Sequence, residues 1–475
     1  MPNLGIYLRD HFRSKWLGIG LFCGLSFMIN PAAFLTRTGS GALSVAVAQA
    51  QIVQPLSAND VSWLFPAPVR IEDFDKLIAI RNLTTQNLQD PTKRDPVWPE
   101  AAFQQFLSIA SSPAALVAGT QSRIVLPAEA QSIDAWHIAG VRIDAGAPGL
   151  SNDVRDQFGQ SPQIRLIVQP VTRNADGTPK VHDIAAHLIF NFVAGVEAPT
   201  QPGCFPRFIP DLVVFKEIVA ELAALRTQLS EGQLGANKIT TSGSPLGVHP
   251  GLLDATTSSN VRQEMKTFLE RHLSGQRLAA MAIMGLPKGA PAPWIFLSML
   301  NLPNGDFIPV HGPALDGQQF AQMLNPVGAA ERVVPTPHTN NRKPATCMNG
   351  AALPVGGPPI AERQGSSTAD LFANPPPPPS RIEEILDLIA DPAKSHFFNT
   401  DCVSCHTDTR RGMDLLNIRD IPGIDAALLP NGPWNVRNFG WSPPIEGPVQ
   451  ATVTRRTAAE TAAVVAFING GLLAK

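Results

Sequence analysis

Apolar side chains recur at regular spacing in two long stretches of the chain. Between Val213 and Leu229 they fall three and four residues apart, which predicts an amphipathic helix. Ser258 to Leu273 shows the same spacing after a serine that can cap a helix. Each segment is therefore expected to bury one apolar face against a core.

Shorter apolar runs bounded by turn residues predict β-strands in the same region. Ile164–Val168 and Val181–Val193 flank a polar turn with Asp176-Gly177 at its tip, so residues 162–193 are predicted to form a β-hairpin. Two further strands are predicted on either side of Asn304-Gly305, at Trp294–Leu300 and Phe307–Val310. Residues 51–345 are accordingly predicted to be an α+β domain, whose role the sequence does not indicate.

Two more helices are predicted near the C-terminus. Apolar positions between Ile382 and Ile389 predict a short one. Thr457–Leu473 predicts a second, with Gly470-Gly471 as its end.

Composition changes sharply before these two helices. From Pro335 to Ser380 the chain is rich in Pro, Gly and small polar residues, and it ends in the five prolines Pro375–Pro379. Such a run favours a stiff polyproline II spacer of about 15 Å. We therefore predict a linker at residues 346–380 and a small separate domain at 381–475.

The N-terminus has the order of a secretory signal. Three basic residues, Arg9, Arg13 and Lys15, precede an apolar run from Trp16 to Ile29. An A-x-A site at residues 48–50 predicts that residues 1–50 are a signal peptide and that the protein is periplasmic or secreted in a bacterium. An uncleaved anchor is the alternative.

The charge of the mature chain is small. Without residues 1–50 the chain has 33 basic and 38 acidic residues, a net charge of −5. A nucleic-acid-binding surface is usually strongly basic, so no nucleic-acid partner is expected. No later segment is apolar enough to predict a membrane span in the mature chain.

Two of the five cysteines are expected to form a disulfide bond in the oxidising compartment to which the protein is exported. These are Cys204 and Cys347. Two buried thiols are the alternative, because sequence alone does not show that the two residues approach each other.

The most specific pattern in the chain is C-x-x-C-H, at Cys402-Val403-Ser404-Cys405-His406. Two thiols at this spacing can add to the two vinyl groups of one porphyrin, and the following histidine can ligate the iron. A closed zinc site would need four ligands, and the chain has no second C-x-x-C. The motif predicts one covalent haem c, held by Cys402 and Cys405 and ligated by His406.

With one helix before this motif and another closing the chain, residues 381–475 resemble a single-haem class I c-type cytochrome domain. The resemblance covers about a fifth of the chain. It implies a small all-α fold, His406 as the proximal iron ligand and a methionine on the other side of the iron. It also implies transfer of single electrons to a redox protein partner, whose identity the sequence does not give.

The second iron ligand departs from the family pattern. Met413 is the sole methionine after His406, and no histidine follows. As a possible distal ligand, Met413 would need a nearly straight path around the porphyrin edge, since seven residues span at most about 25 Å. His396, Met348 and an open position are the alternatives.

The sequence therefore predicts an exported c-type cytochrome-like protein that transfers single electrons. A haem-based sensor or ligand-binding protein, or a peroxidase-like enzyme with an open iron site, is the alternative, so enzymatic activity stays undecided and no catalytic residue is assigned. His182 and His187 are five apart on one predicted strand, which puts them on opposite faces and disfavours a metal pair.

Overall fold

The computed structural model describes most of the chain after residue 54. The described ranges are 55–87, 90, 92–111, 126–147, 159–198, 207–285, 294–302, 304–310, 321–325, 332–334, 377–393, 402–432, 435–444 and 447–473. The chain divides into units Met1–Ile52 and Val53–Lys475, and every described residue belongs to the second. The predicted signal peptide, Cys204, Cys347, Met348 and His396 lie outside the described residues.

The described α-helices are α1 Ala58–Val61, α2 Glu100–Ser111, α3 Leu212–Glu231, α4 Pro250–Leu253, α5 Ser258–His272, α6 Pro379–Ala390, α7 Cys402–Leu416 and α8 Arg455–Phe467. Short 3-10 helices lie at Ile71–Lys76, Ile80–Asn82, Ala128–Gln131, Ile133–Ala135, Gly275–Arg277 and Ala426–Leu428. A π-helical turn, Ile468–Leu472, follows α8. None of the described helices is both long and apolar enough to cross a bilayer.

The described strands are β1 Ser62–Leu64, β2 Thr84–Gln86, β3 Arg94–Pro96, β4 Trp136–Ala147, β5 Ser161–Arg173, β6 Pro179–Val181, β7 Ile184–Asn191, β8 Val193–Glu197, β9 Arg207–Pro210, β10 Leu278–Gly285, β11 Trp294–Asn301, β12 Phe307–Val310, β13 Ala321–Asn325, β14 Arg332–Val334, β15 Phe439–Ser442 and β16 Gln450–Val453. Ten of them form an antiparallel sheet with the main order β1-β4-β5-β7-β10-β11-β13-β14, to which β6 and β12 add at β5 and β11. The pairs β2–β3, β8–β9 and β15–β16 are separate.

The two long predicted helices are confirmed as α3 and α5. The Asp211 carboxylate caps α3 by accepting a hydrogen bond from the Val214 N–H at 3.1 Å, and Gly232, with φ of 76°, ends it. The cap predicted at Ser258 is wrong, because Thr257 is the N-cap residue of α5. The carboxylate of Asp254 accepts from the Thr257 N–H at 2.9 Å.

The predicted hairpin at 162–193 is confirmed, since β5 pairs with both β6 and β7. Its returning strand is not continuous, however: β6 ends at Val181, and β7 begins at Ile184 after His182 and Asp183. The strands predicted around Asn304-Gly305 are confirmed as β11 and β12, and Gly305 has the φ of 88° that favours glycine in the turn.

The central strands bury one face of the sheet completely. A row of fully buried side chains runs in register across five of them, at Val141, Leu166, Leu188, Met281 and Met299. The neighbouring row, on the opposite face, consists of Gly140, Ile167, His187 and Ala282. We call this opposite face the docking face, because the C-terminal segment packs against it.

The C-terminal segment shares its core with the sheet. Trp441 and Val453 are fully buried in the same apolar cluster as the core row of the sheet. The Ser62 and Thr461 hydroxyls lie 2.8 Å apart, so α8 also contacts β1. The predicted boundary around residues 346–380 falls mostly outside the described residues, and the division into 51–345 and 381–475 stays a prediction.

The C-terminal segment contains a β-hairpin besides its helices. All four residues of β15 are buried, because this strand lies against the docking face. The helix predicted between Ile382 and Ile389 is confirmed as α6. The last predicted helix begins two residues early, at Arg455, and Gly470-Gly471 lie inside the π-helical turn instead of ending α8. The expectation of an all-α segment therefore omitted the hairpin that covers the sheet.

Candidate functional site

The C-x-x-C-H motif forms the first turn of α7. Successive helical residues are about 100° apart, so Cys402, Cys405 and His406 fall within an arc of about 100° on one side of the helix. Cys405 and His406 are half-buried, and Cys405 packs against the apolar cluster of α6. The backbone of α7 thus places these three positions on one side of the helix.

The ring of His406 is oriented by the backbone of the C-terminal segment. Its Nδ1 lies 2.7 Å from the carbonyl oxygen of Val436. A neutral imidazole that donates from Nδ1 carries its lone pair on Nε2, which is the nitrogen that would ligate a metal. Burial lowers the pKa of His406 to about 4, against the opposing effect of the Val436 hydrogen bond, so the neutral form is favoured.

These residues fit a covalently bound haem. Two cysteine positions lie on one side of α7, and the imidazole of His406 is oriented by a carbonyl, which is a common arrangement for a histidine metal ligand. Helices α6 and α8 both pack against α7, the helix that begins with the motif. Among the described residues, no group of three or more His, Cys, Asp and Glu could hold a metal ion.

The Val436 carbonyl is held in place by the contact between β15 and the docking face. The Gln169 side chain forms two hydrogen bonds with the Trp441 backbone, accepting from its N–H at 2.6 Å and donating to its carbonyl at 2.8 Å. Gly440, at φ of 152°, packs so closely that a Cβ there would lie 2.8 Å from the Gln169 amide oxygen. This close contact fixes the strand that leads back to Val436.

A buried ion pair fixes the other end of the same segment. Arg437 is 2 % exposed and donates to the Asp183 carboxylate at 3.0 Å, in the break between β6 and β7. It also approaches the Met284 sulfur, at 3.4 Å. Burial raises the pKa of Asp183 to about 7, although the charge of Arg437 acts to lower it.

Replacing Asp183 by Asn should change how stability depends on pH. The pKa of Asp183 is higher in the folded state than its ordinary 3.8, so the folded protein binds more protons between about pH 4 and pH 7. This contribution to stability is present at low pH and is lost as pH rises through that window, by at most about 1.4 kcal/mol per pH unit. Urea unfolding of the wild type and Asp183→Asn at several pH values should show profiles that diverge there.

The exposed carboxylate of Asp75 provides the control for this measurement. Its side chain is 81 % exposed and pairs with Arg173 at the surface. Asp75→Asn should give a pH profile parallel to that of the wild type. Parallel profiles for Asp183→Asn as well would contradict a raised pKa at Asp183.

His187 is a residue of the site to which sequence analysis assigned no role. It projects from the docking face at the centre of β7, beside Ile167 and Ala282. Burial lowers the pKa of His187 to about 3, and the charge of the nearby His406 lowers it further. His182 is not on the same strand, since it precedes β7 and its ring Nε2 lies 2.8 Å from the Thr172 hydroxyl.

The structure places Met413 in α7, two turns beyond His406. Over seven residues a helix advances about 10 Å and returns to nearly the same side. Met413 is half-buried and packs against the main core. The straight path that a distal-ligand role would require is therefore not the path of the chain, and that role stays a prediction without support from the geometry.

Comparison with known proteins adds no relative. No protein-family model matches the chain, and neither the curated proteins nor the solved structures contain a significant match.

Proposed function

We propose that this protein is an exported c-type cytochrome-like protein that binds one covalent haem and transfers single electrons. The main support is the hydrogen bond between His406 Nδ1 and the Val436 carbonyl, in a helical turn that also carries Cys402 and Cys405. A histidine that serves only to fill the core would not need both thiols on the same helical face.

Each residue of the motif has a distinct task in this proposal. The thiols of Cys402 and Cys405 add across the two vinyl groups, each forming one carbon–sulfur bond while the thiol hydrogen goes to the other vinyl carbon. His406 holds the iron from one side in an orientation set by Val436. A haem bound at this turn would supply a one-electron iron couple. The fixed sheet behind the segment would keep the ligand geometry constant between oxidation states.

The attachment can be tested by intact mass measurement. The full chain should be produced with its signal region in a bacterium that matures c-type haem. Because the addition loses no atom, the denatured wild-type protein should be heavier than the mature polypeptide by the mass of one haem. The double variant Cys402→Ser, Cys405→Ser should lose that mass completely.

Ser404 offers a matched control within the motif. Ser404→Ala changes a residue between the two cysteines and supplies no ligand, so haem attachment should persist. Wild-type protein in which both thiols are unmodified, or joined to each other, would contradict the proposed function. Recovery of the wild type only with an uncleaved N-terminus would leave haem attachment intact but contradict the signal peptide.

A further inference from the structure

We propose that His187 is the second axial ligand of the haem iron, on the side opposite to His406. This inference rests on the proposed function, because it needs a haem attached at Cys402 and Cys405. It assigns the distal ligand to the large sheet and not to the C-terminal segment that carries the motif.

The first argument is the path of residues 436–441 over the sheet. Arg437 directly follows Val436, the hydrogen-bond partner of His406. Its side chain contacts Met284 on β10 and Asp183 just before β7. Further along, Gly440 and Trp441 contact β5, where a Cβ at Gly440 would lie 3.4 Å from the Ile167 side chain. The segment therefore crosses β10, β7 and β5 on the docking face.

His187 lies within the area that this segment crosses. It pairs with Ile167 on one side and with Ala282 on the other, between the two points of contact. The helix that carries His406 is tied to the same segment through Val436. Two histidines from distant parts of the chain are thus brought to one face of the sheet.

The second argument is that His187 differs from the other described histidines in its hydrogen bonding. Among the described residues, the His187 ring forms no hydrogen bond. Five other histidines do: His137 with the Ala135 carbonyl, His182 with Thr172, His249 with the Gly251 N–H, His272 with Glu221 and His406 with the Val436 carbonyl. The His187 side chain is half-buried and has no hydrogen-bond partner among the described residues, and an iron–nitrogen bond would supply one.

The third argument is the surface beside His187. On the docking face, the rows through His187 and Ile189 continue into Ala282 and Ala280 on β10, and the second row continues into Leu300 on β11. Ala280 and Ala282 are half-buried, and Leu300, paired with Ala280, is 45 % exposed. The core face behind them is fully buried. A flat apolar group against the docking face would cover this surface.

Optical and magnetic spectra of the haem-loaded protein test the proposal. The wild type should be low-spin in both oxidation states, should lack the far-red sulfur-to-iron band and should not shift with carbon monoxide. His187→Ala should lose the low-spin spectrum and gain a carbon monoxide shift. His182→Ala and Met413→Leu, as controls, should leave the wild-type spectrum unchanged.

A second variant separates a ligand from a residue with a merely structural role. His187→Met should stay low-spin, gain the sulfur-to-iron band and show a raised reduction potential, because a thioether raises the potential relative to imidazole. A wild-type sulfur-to-iron band, or a wild type that binds carbon monoxide, would overturn the proposal even if His187→Ala failed to fold.

The same samples distinguish failure of this inference from failure of the proposed function. If intact mass shows one haem on the wild type and on His187→Ala, while their spectra are identical, His187 is not a ligand and the cytochrome-like function stands. If the wild type carries no haem mass, the proposed function fails and the inference fails with it.

Discussion

Gln169→Met should destabilise the protein by about 3 kcal/mol and loosen the segment that orients His406. Gln169 is fully buried, and methionine would keep its volume but form neither hydrogen bond with Trp441. The Trp441 carbonyl would keep a hydrogen bond from Arg437 at 3.2 Å, but its N–H would lose the Gln169 oxygen. An unsatisfied buried group costs about 1–3 kcal/mol, and the lost second bond adds about 1 kcal/mol.

Two measurements check this expectation. Urea unfolding gives the loss of stability, and amide hydrogen exchange followed by mass spectrometry should show faster exchange in residues 436–442. The matched control is Gln163→Met on the same strand and the same face, where the amide oxygen accepts from the Arg165 side chain at 3.0 Å. That variant should leave exchange in 436–442 unchanged. Equal exchange in both variants would show that Gln169 does not hold this segment.

The spacing of apolar residues along the chain was enough to predict the helices and strands that bury one side. The helices α3, α5 and α6 each carry their apolar face in the sequence itself, so the spacing between Val213 and Leu229 could be read without knowing what it packs against. The hairpin around Asp176-Gly177 was also predictable, because its strands are neighbours in sequence. In these elements, the sequence pattern and the structure that it predicts both lie within one short stretch of the chain.

The break between β6 and β7 could not be predicted in this way. It is formed by His182 and Asp183, and Asp183 pairs with Arg437, a residue 254 positions away. Likewise Gln169 and Trp441 are 272 residues apart. A polar residue in an apolar strand gives no indication of its partner, so the contact between the C-terminal segment and the sheet was not visible in the sequence.

The candidate site likewise has one part that the local sequence predicts and another part that depends on the tertiary fold. The motif from Cys402 to His406 is local, and its chemistry follows from the spacing. A ligand on the other side of the iron depends on the tertiary fold. The candidates that the sequence offered were Met413, His396 and Met348, whereas the proposed ligand His187 lies 219 residues before His406. The odd spacing of His182 and His187 predicted that they do not share a strand face, but it could not show what His187 contacts.

The second large effect is expected at Glu460, which ties α8 to the sheet. Its carboxylate accepts from the Arg142 side chain on β4 at 2.8 Å and from the Arg456 side chain at 2.7 Å. Both arginine side chains are nearly buried, at 12 % and 8 % exposure. Glu460→Gln would leave these two cations without their counter-charge, and breaking a buried pair by removing one partner costs roughly 3–5 kcal/mol. Since Glu460 keeps some exposure, we expect the lower end, about 3 kcal/mol in urea unfolding at pH 7.

The pH dependence of this effect identifies its cause. Burial acts to raise the pKa of Glu460, but the charges of Arg456 and Arg142 outweigh it and hold the pKa well below the ordinary 4.5. A lowered folded-state pKa stabilises the protein above the ordinary value, and this stabilisation is lost as pH falls below it. The difference between the wild type and Glu460→Gln should therefore shrink on going from pH 7 toward pH 3.

A surface ion pair on α6 supplies the matched control for Glu460. Glu384 pairs with Arg381 at 2.6 Å, and its side chain is 56 % exposed. Exposed pairs contribute about 0–1 kcal/mol, so Glu384→Gln should change stability little at any pH. If Glu460→Gln behaved like this control, the ion cluster would not be what holds α8 against β4. If it shows the large loss at pH 7 and a smaller one in acid, α8 is held on the docking face mainly by charge.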